Sequence, residues 1–265
     1  MKINLLICLF LLTSYISFSQ NSETIISSRP GQAFVPDVLG KGFYQLQSGF
    51  NYSKSETGDP GIANSKILQY NNLLRYGLSR KIDFRASITL SRETLNVDNF
   101  PEATGFGIND IELGIRYNFL DGNKAPDKLA VQADFGLPIR PGDFSSELLS
   151  YDFLVIYSRP LFGPFSLTAN VGLQTFDIGV GPIAKYVLNV GFPISDELSA
   201  FVEIYGNYER RTIDELNVLF DGGFAFLVNN DLQLDLSFGY SGDATNSIIP
   251  VRQWFLDGGV SIRFR

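Results

Sequence analysis

The side chains in this sequence with the means to do chemistry are carboxylates, guanidiniums and a lysine, and their spacing is regular. Asp83, Asp110, Glu112, Asp134, Asp152, Glu203, Asp221, Asp235 and Asp257 share alternating stretches with Arg75, Arg85, Arg116, Lys185 and Arg263. Histidine is absent, and the single cysteine, Cys8, falls in an N-terminal apolar run. A Ser/His or Asp/His catalytic pair therefore cannot be built, nor can a Cys/His zinc site. The acidic residues lack EF-hand spacing, and Gly105-Phe106-Gly107 lacks the strand–helix setting of a nucleotide fingerprint. No catalytic residue, metal ligand or cofactor is expected, and a formal charge of −7 argues against nucleic acid as a partner. Two roles remain: pairing into a fixed network, or lining a passage. Nine acids against five bases in a narrow tube would favour cations over anions.

Such groups need walls, and the alternation supplies them. In Trp254–Phe264 the even positions are Trp254, Leu256, Gly258, Val260, Ile262 and Phe264; the odd ones are Phe255, Asp257, Gly259, Ser261 and Arg263. A period of two with unlike faces is the pattern of a strand between two environments. It recurs from Gly42 onward, giving twelve candidate strands. Leu113, Ile115 and Tyr117 alternate with Glu112, Gly114 and Arg116, and Leu167, Ala169 and Val171 with Thr168, Asn170 and Gly172. Asn170, on the polar face, is expected to tolerate a charge. Connections are short at 79–81, 193–197 and 228–231 and long at 53–65, 92–107, 138–148 and 241–253, mostly taking turns. Tyr76, Tyr117, Phe192 and Phe264 gather toward one rim, and Tyr52, Tyr151, Tyr240 and Trp254 toward the other.

These features predict an all-β fold: a transmembrane, antiparallel, up-and-down β-barrel of about twelve strands and bacterial outer-membrane type, apolar face to lipid. A soluble β-protein also alternates, but its water-facing side would carry more lysine than this polar face does. The N-terminus fits export. Lys2 precedes the apolar run from Ile3 to Leu12, and Ser17-Phe18-Ser19 suits cleavage, so residues 1–19 read as a signal peptide. Residues 20–41, with Pro30 and Pro36 and no period, are a periplasmic lead-in or a plug; residues 42–265 are the barrel. The expected location is the outer membrane of a Gram-negative bacterium. The expected partners are outer-membrane lipid, the barrel-assembly machinery and a small-molecule solute.

Several short motifs point to a family. They are Ser28-Arg29-Pro30-Gly31, then Gly42 leading into Tyr44-Gln45-Leu46-Gln47-Ser48-Gly49-Phe50, then Asn109-Asp110-Ile111-Glu112-Leu113-Gly114-Ile115-Arg116-Tyr117, then Leu137-Pro138. Together they resemble the outer-membrane β-barrel family named "putative MetA-pathway of phenol degradation". The resemblance implies transport of small, aromatic or hydrophobic compounds. The function read from the sequence is a channel or transporter, not an enzyme. Its candidate pore-lining residues are Arg75, Arg85, Asp110, Glu112, Arg116, Asp134, Asp152, Lys185, Glu203, Asp221, Asp235, Asp257 and Arg263. The alternative is a structural or adhesive barrel with a closed lumen and functional extracellular loops.

Overall fold

The computed structural model describes residues 24–57, 63–123, 125–138, 142–144, 148–175, 181–209, 215–216, 218–241 and 251–265. The signal peptide expected at residues 1–19 and most of the loop expected at 241–253 lie outside them. Every regular element described is a strand: β1 (Tyr44–Thr57), β2 (Ala63–Gly77), β3 (Ile82–Val97), β4 (Ala103–Asp121), β5 (Lys128–Gly136), β6 (Ser150–Pro160), β7 (Ser166–Thr175), β8 (Ile183–Pro193), β9 (Leu198–Glu209), β10 (Glu215–Leu216), β11 (Leu219–Asn229), β12 (Leu232–Ser241) and β13 (Val251–Phe264). The segments β10 and β11 continue one register against β9, with Leu216 opposite Tyr208 and Leu219 opposite Tyr205. They form one stave, so twelve antiparallel staves make the wall. The wall closes on itself: β1 pairs with β13 along its whole length, from Tyr44 opposite Phe264 to Thr57 opposite Val251. Closure gives every stave a neighbour on both sides, which hydrocarbon surroundings require; only upper stretches, such as β4 before Glu112, extend beyond their neighbour on one side.

The alternation sets which side of the wall each residue faces. Leu46, Phe50, Leu113, Val155, Leu234 and Leu256 stand exposed on the outside. Gln45, Arg116, Asn170, Asp235 and Ser261 are buried on the inside. Aromatic rings cluster at two heights on the outer face. Tyr44 stacks near Tyr76 and Phe264, with ring centres 4.6 and 5.6 Å away. Nearer the other end Tyr52 meets Trp254 at 5.5 Å.

The staves differ in height. β5 has 9 residues and β7 has 10, close to a tilted span, but β3 has 16 and β4 has 19. The connections predicted at 53–65 and 92–107 are largely strand. There the outward side chains turn polar, as at Lys54 and Arg92, so the apolar period fades while backbone pairing continues. Lys54 bonds Glu56 at 2.7 Å and Ser65 bonds Glu93 at 2.8 Å along this extension. At the opposite end the turns are tight: Leu78 N–H donates to Ile82 C=O, and Ile194 N–H to Leu198 C=O.

Candidate functional site

Residues 24–40 do not hang below the barrel. They run through its lumen, bonded to most of the wall. The segment starts at the short-turn end, where Ile25 N–H donates to Asn230 C=O at 2.7 Å. Ser27 Oγ lies 2.7 Å from Ser261 Oγ. Arg29 then reaches mid-wall, its Nη2 3.0 Å from Asp235 Oδ1 and also bonded to Asp257. The guanidinium lies where Gly49 and Gly259 face each other across β1 and β13; a Cβ at either would fall 2.3 or 2.6 Å from it. Two side-chain-free positions are thus what admit an arginine here.

The segment next crosses to the far wall. Glu203 accepts the Gln32 and Ala33 N–H groups and, at 2.9 Å, Asn189 Nδ2. Asn170 bonds Phe34 twice, taking its N–H at 2.7 Å and donating to its C=O at 2.9 Å. The Phe34 ring packs against Ala130, Leu154 and Ile156, an apolar patch on the inner wall. Arg85 and Arg116 lie over the same ring, 5.0 and 5.6 Å from its centre. The return leg is held by carbonyls: Arg116 Nη1 donates to Val35 C=O at 2.7 Å, Asn118 Nδ2 to Pro36 C=O at 2.9 Å, and Arg75 Nη2 to Asp37 C=O at 2.8 Å. Leu39 N–H donates to Asp83 Oδ1, and Gly42 N–H to Gly77 C=O, where the chain enters β1. A segment with no secondary structure thus has its backbone polar groups met by wall side chains, as burial demands.

The charges expected on the inner wall are there, but most are engaged. Arg75 pairs with Asp83, Arg85 with Asp134 (Nε to Oδ1, 3.1 Å), and Lys185 with Asp152. Asp235 and Asp257 share Arg29. Arg116 bonds Gln132 at 2.9 Å, and Glu112 accepts Ser87 Oγ at 2.9 Å. Asp110 lies opposite Thr89 on β3, and Asp221 lies opposite Glu203 on β9. Arg263 is apart from the rest: it caps the short-turn rim, bonded to Asp231 at 2.7 Å and 5.6 Å from the Phe43 ring centre. Among the described residues no three acidic side chains converge as a metal site would need.

Arg29 and Phe34 take part without having been expected from the sequence, and Gln132 and Asn189, which the alternation places on the polar face, take part without having been singled out. One signal was available. Leu154 and Ile156 occupy lumen-facing positions of β6, where apolar side chains need an apolar partner, and Phe34 is that partner. Asn170 is a correction: it is 1% exposed and clamps Phe34, so it has no room for a charged chain.

The crossing divides the lumen. A cavity of about 350 Å³ lies on the short-turn side, lined by Ile25, Val35, Phe201 and Gln233 among others. One of about 330 Å³ lies on the loop side, between the crossing segment and β1–β4. Ser28 and Arg29 border both. A third, of about 220 Å³, is bounded by Gln32, Phe34, Lys185 and Tyr205.

Comparison with known proteins gives one family and a set of similar folds. The family described as "Putative MetA-pathway of phenol degradation" matches residues 27–255. The COG4313 outer membrane channel from Pseudomonas putida F1 is similar over 90% of this chain and 100% of its own, with a TM-score of 0.66 and 12% identity. The beta domain of the Bordetella autotransporter BrkA covers 83% of this chain and 99% of its own (TM-score 0.59, 10% identity). The CymD monoaromatic hydrocarbon channel covers 85% and 89% (TM-score 0.52, 9% identity). No curated protein matches. At these identities the likeness is one of fold.

Proposed function

We propose, from the premise that this chain belongs to the family described as "Putative MetA-pathway of phenol degradation", that it is an outer-membrane channel or transporter for small molecules. The observation carrying this is the division of one closed, lipid-faced barrel into cavities on either side of a single crossing segment, with Ser28 and Arg29 bordering both of the larger ones. The short-turn end, where both described chain ends lie, faces the periplasm, and the tall β1–β4 side rises outside. Small cavities suit single-ring solutes rather than bulk diffusion. Aromatic or hydrophobic cargo has the family's description and the CymD channel in its favour. The polar inner wall speaks for something wetter.

The crossing segment also favours a second reading, a closed barrel acting through its outer loops. Planar-bilayer recordings on the refolded mature chain separate the two. A channel gives a small conductance that rises when residues 24–40 are removed. Silence from both forms, each shown to be folded by heat-modifiable gel migration, sinks the channel and leaves the closed barrel.

A further inference from the structure

Four cations share the outward face at the loop-side end of neighbouring staves: Arg252 on β13, Lys54 on β1, Lys66 on β2 and Arg92 on β3. The same alternation points Trp254, Tyr52 and Leu68 outward. The pairing register fixes their neighbourhood. Lys54 lies directly opposite Lys66 on one side and opposite Trp254 on the other. Arg252 lies opposite Glu56, two residues nearer the loops, and Arg92 opposite Leu68, two residues nearer the short turns. From β13 to β3 the cations therefore step toward the short-turn end. The aromatic belt at that end steps the same way, from Tyr76 opposite Phe84 to Tyr117 opposite Ile82. Strand tilt makes a level line cross the rows in this manner. The four charges thus form a band at one height, that of the Tyr52–Trp254 pair, and such aromatic belts mark the headgroup level of a membrane.

Sheet energetics alone disfavour this band. Like charges directly opposite each other weaken a sheet, and a cation at the interface needs no neighbour of its own sign to keep its charge in water. Among the described outward positions here Glu56 is the one acid, 2.7 Å from Lys54 and opposite Arg252. Lys66 and Arg92 have no carboxylate partner among the described residues. The chain carries −7 overall, yet on this face four cations meet one acid. Nor do the cations ring the barrel. From β5 to β9 the described outward positions nearest this end are Phe135, Tyr151, Leu173, Ala184 and Tyr208, with no lysine or arginine among them. On the short-turn side of the band the outward side chains are apolar and exposed, as at Phe50, Leu68 and Leu256. Cations over an apolar surface at headgroup height match an amphiphile with an anionic head.

We propose that the outward face of β13 and β1–β3 is a binding site for lipopolysaccharide, the phosphorylated glycolipid of the outer leaflet. The cations meet the phosphates of its lipid A moiety, and Phe50, Leu68 and Leu256 lie along its acyl chains. Arg92 presents a fork of N–H groups to one phosphate, while the lysines act as point charges. Four staves span about 14 Å at the usual strand spacing. That is wider than the single phosphate of a phospholipid and suits a headgroup with phosphates at both ends of a disaccharide. The proposal rests on the orientation that puts the long loops outside, and not on whether the lumen conducts.

Native mass spectrometry on the folded full mature chain in detergent tests it, with bisphosphoryl lipid A, its phosphate-free form and phosphatidylglycerol as probes. Bisphosphoryl lipid A should bind about tenfold more tightly than either other probe. Lys66→Gln with Arg92→Gln should weaken it about thirtyfold, from about fivefold per cation near a membrane surface. Arg80→Gln with Lys81→Gln removes the same charge from the short-turn rim, where both residues are exposed, and should leave it unchanged. Trp254, the one tryptophan of the sequence, lies opposite Lys54, so its emission should shift as bisphosphoryl lipid A is added. Gel migration identifies any variant that does not fold, and the comparison of probes on the parent stands without the variants. Phosphatidylglycerol bound as tightly as lipid A would show attraction to any anionic lipid and overturns the proposal. So does lipid A binding that the first pair of substitutions leaves unmoved, or that both pairs weaken alike. An unchanged Trp254 emission at saturation places the lipid elsewhere and overturns it too, as does no binding of lipid A.

Discussion

Arg29 and Asp235 lie 206 positions apart in sequence, yet the guanidinium contacts both carboxylate oxygens, Nη2 to Oδ1 at 3.0 Å and Nε to Oδ2 at 3.4 Å. The Asp235 side chain is wholly buried in this contact. Removing one partner of a buried pair leaves the other uncompensated, which costs about 3–5 kcal/mol. Arg29→Ala should therefore lower the unfolding temperature in detergent, and Arg29→Ala with Asp235→Asn and Asp257→Asn should recover most of it. The same single variant removes a side chain that borders both larger cavities, so bilayer conductance should rise. Two freed carboxylates should shift the reversal potential in a salt gradient toward cation preference. A variant as stable and as poorly conducting as the parent would show that Arg29 neither anchors nor obstructs.

The outward set faces lipid and the inward set does not. Leu113→Arg and Leu234→Arg should each cost about 2–4 kcal/mol, the depth-dependent penalty for a cation on a barrel's lipid face. Asn71→Arg, on the wall of the loop-side cavity, should cost much less. Asn170→Arg, though inward, should be costly because it breaks both bonds to Phe34. Equal losses at Leu113, Leu234 and Asn71 would mean that the faces are misassigned, since a slip of one residue exchanges them all.

Asp221 gives a prediction of opposite sign. It is 7% exposed, neither carboxylate oxygen has a hydrogen-bond partner, and it lies opposite Glu203, another buried acid. An uncompensated buried carboxylate is unfavourable. Asp221→Asn keeps the shape and relieves the like-charge contact, so unfolding in detergent should occur at a higher temperature, with a gain of about 1 kcal/mol. A loss of stability would point to a cation held between the two acids.

The barrel was legible because each strand separates two solvents. Leu113 and Glu112 are neighbours in sequence with opposite environments, and that contrast survives in the sequence alone. The tall ends of β1–β4 were not legible, since the outward positions turn polar there, as at Lys54 and Arg92, and the contrast vanishes. The crossing segment was hidden for another reason. Residues 24–40 follow no period because their partners are side chains scattered around the barrel, from Asp83 to Asp257. The surplus of four acids on the alternating stretches leaves out Arg29, which lies before the first strand and neutralises part of it. Arg29 stood in view within Ser28-Arg29-Pro30-Gly31, but nothing in that motif says which carboxylates it meets.

The crossing segment is tied at both ends, and this allows a test of whether solute passage requires it to move. At its C-terminal end Gly42 N–H donates to Gly77 C=O, and the chain continues directly into β1. At the other end the described ties are hydrogen bonds alone: Ile25 N–H to Asn230 C=O at 2.7 Å, Gln45 Nε2 and Arg75 Nη1 to Ile26 C=O, and, a lighter tie between two hydroxyls, Ser27 Oγ against Ser261 Oγ at 2.7 Å. Only this end can swing without unzipping the wall. Hydroxyl oxygens this close put the two β-carbons near disulfide range, about 3.5–4.5 Å. The one cysteine of the sequence, Cys8, lies within the expected signal peptide. Ser27→Cys with Ser261→Cys should therefore form a bond on oxidation that fixes the lighter tie. If conduction needs the segment to swing aside, oxidised protein should be silent and reductant should restore the parental conductance, with the parent indifferent to both. Conductance that survives oxidation would mean that solutes slip past a stationary segment, with Ser28 and Arg29 bordering the way.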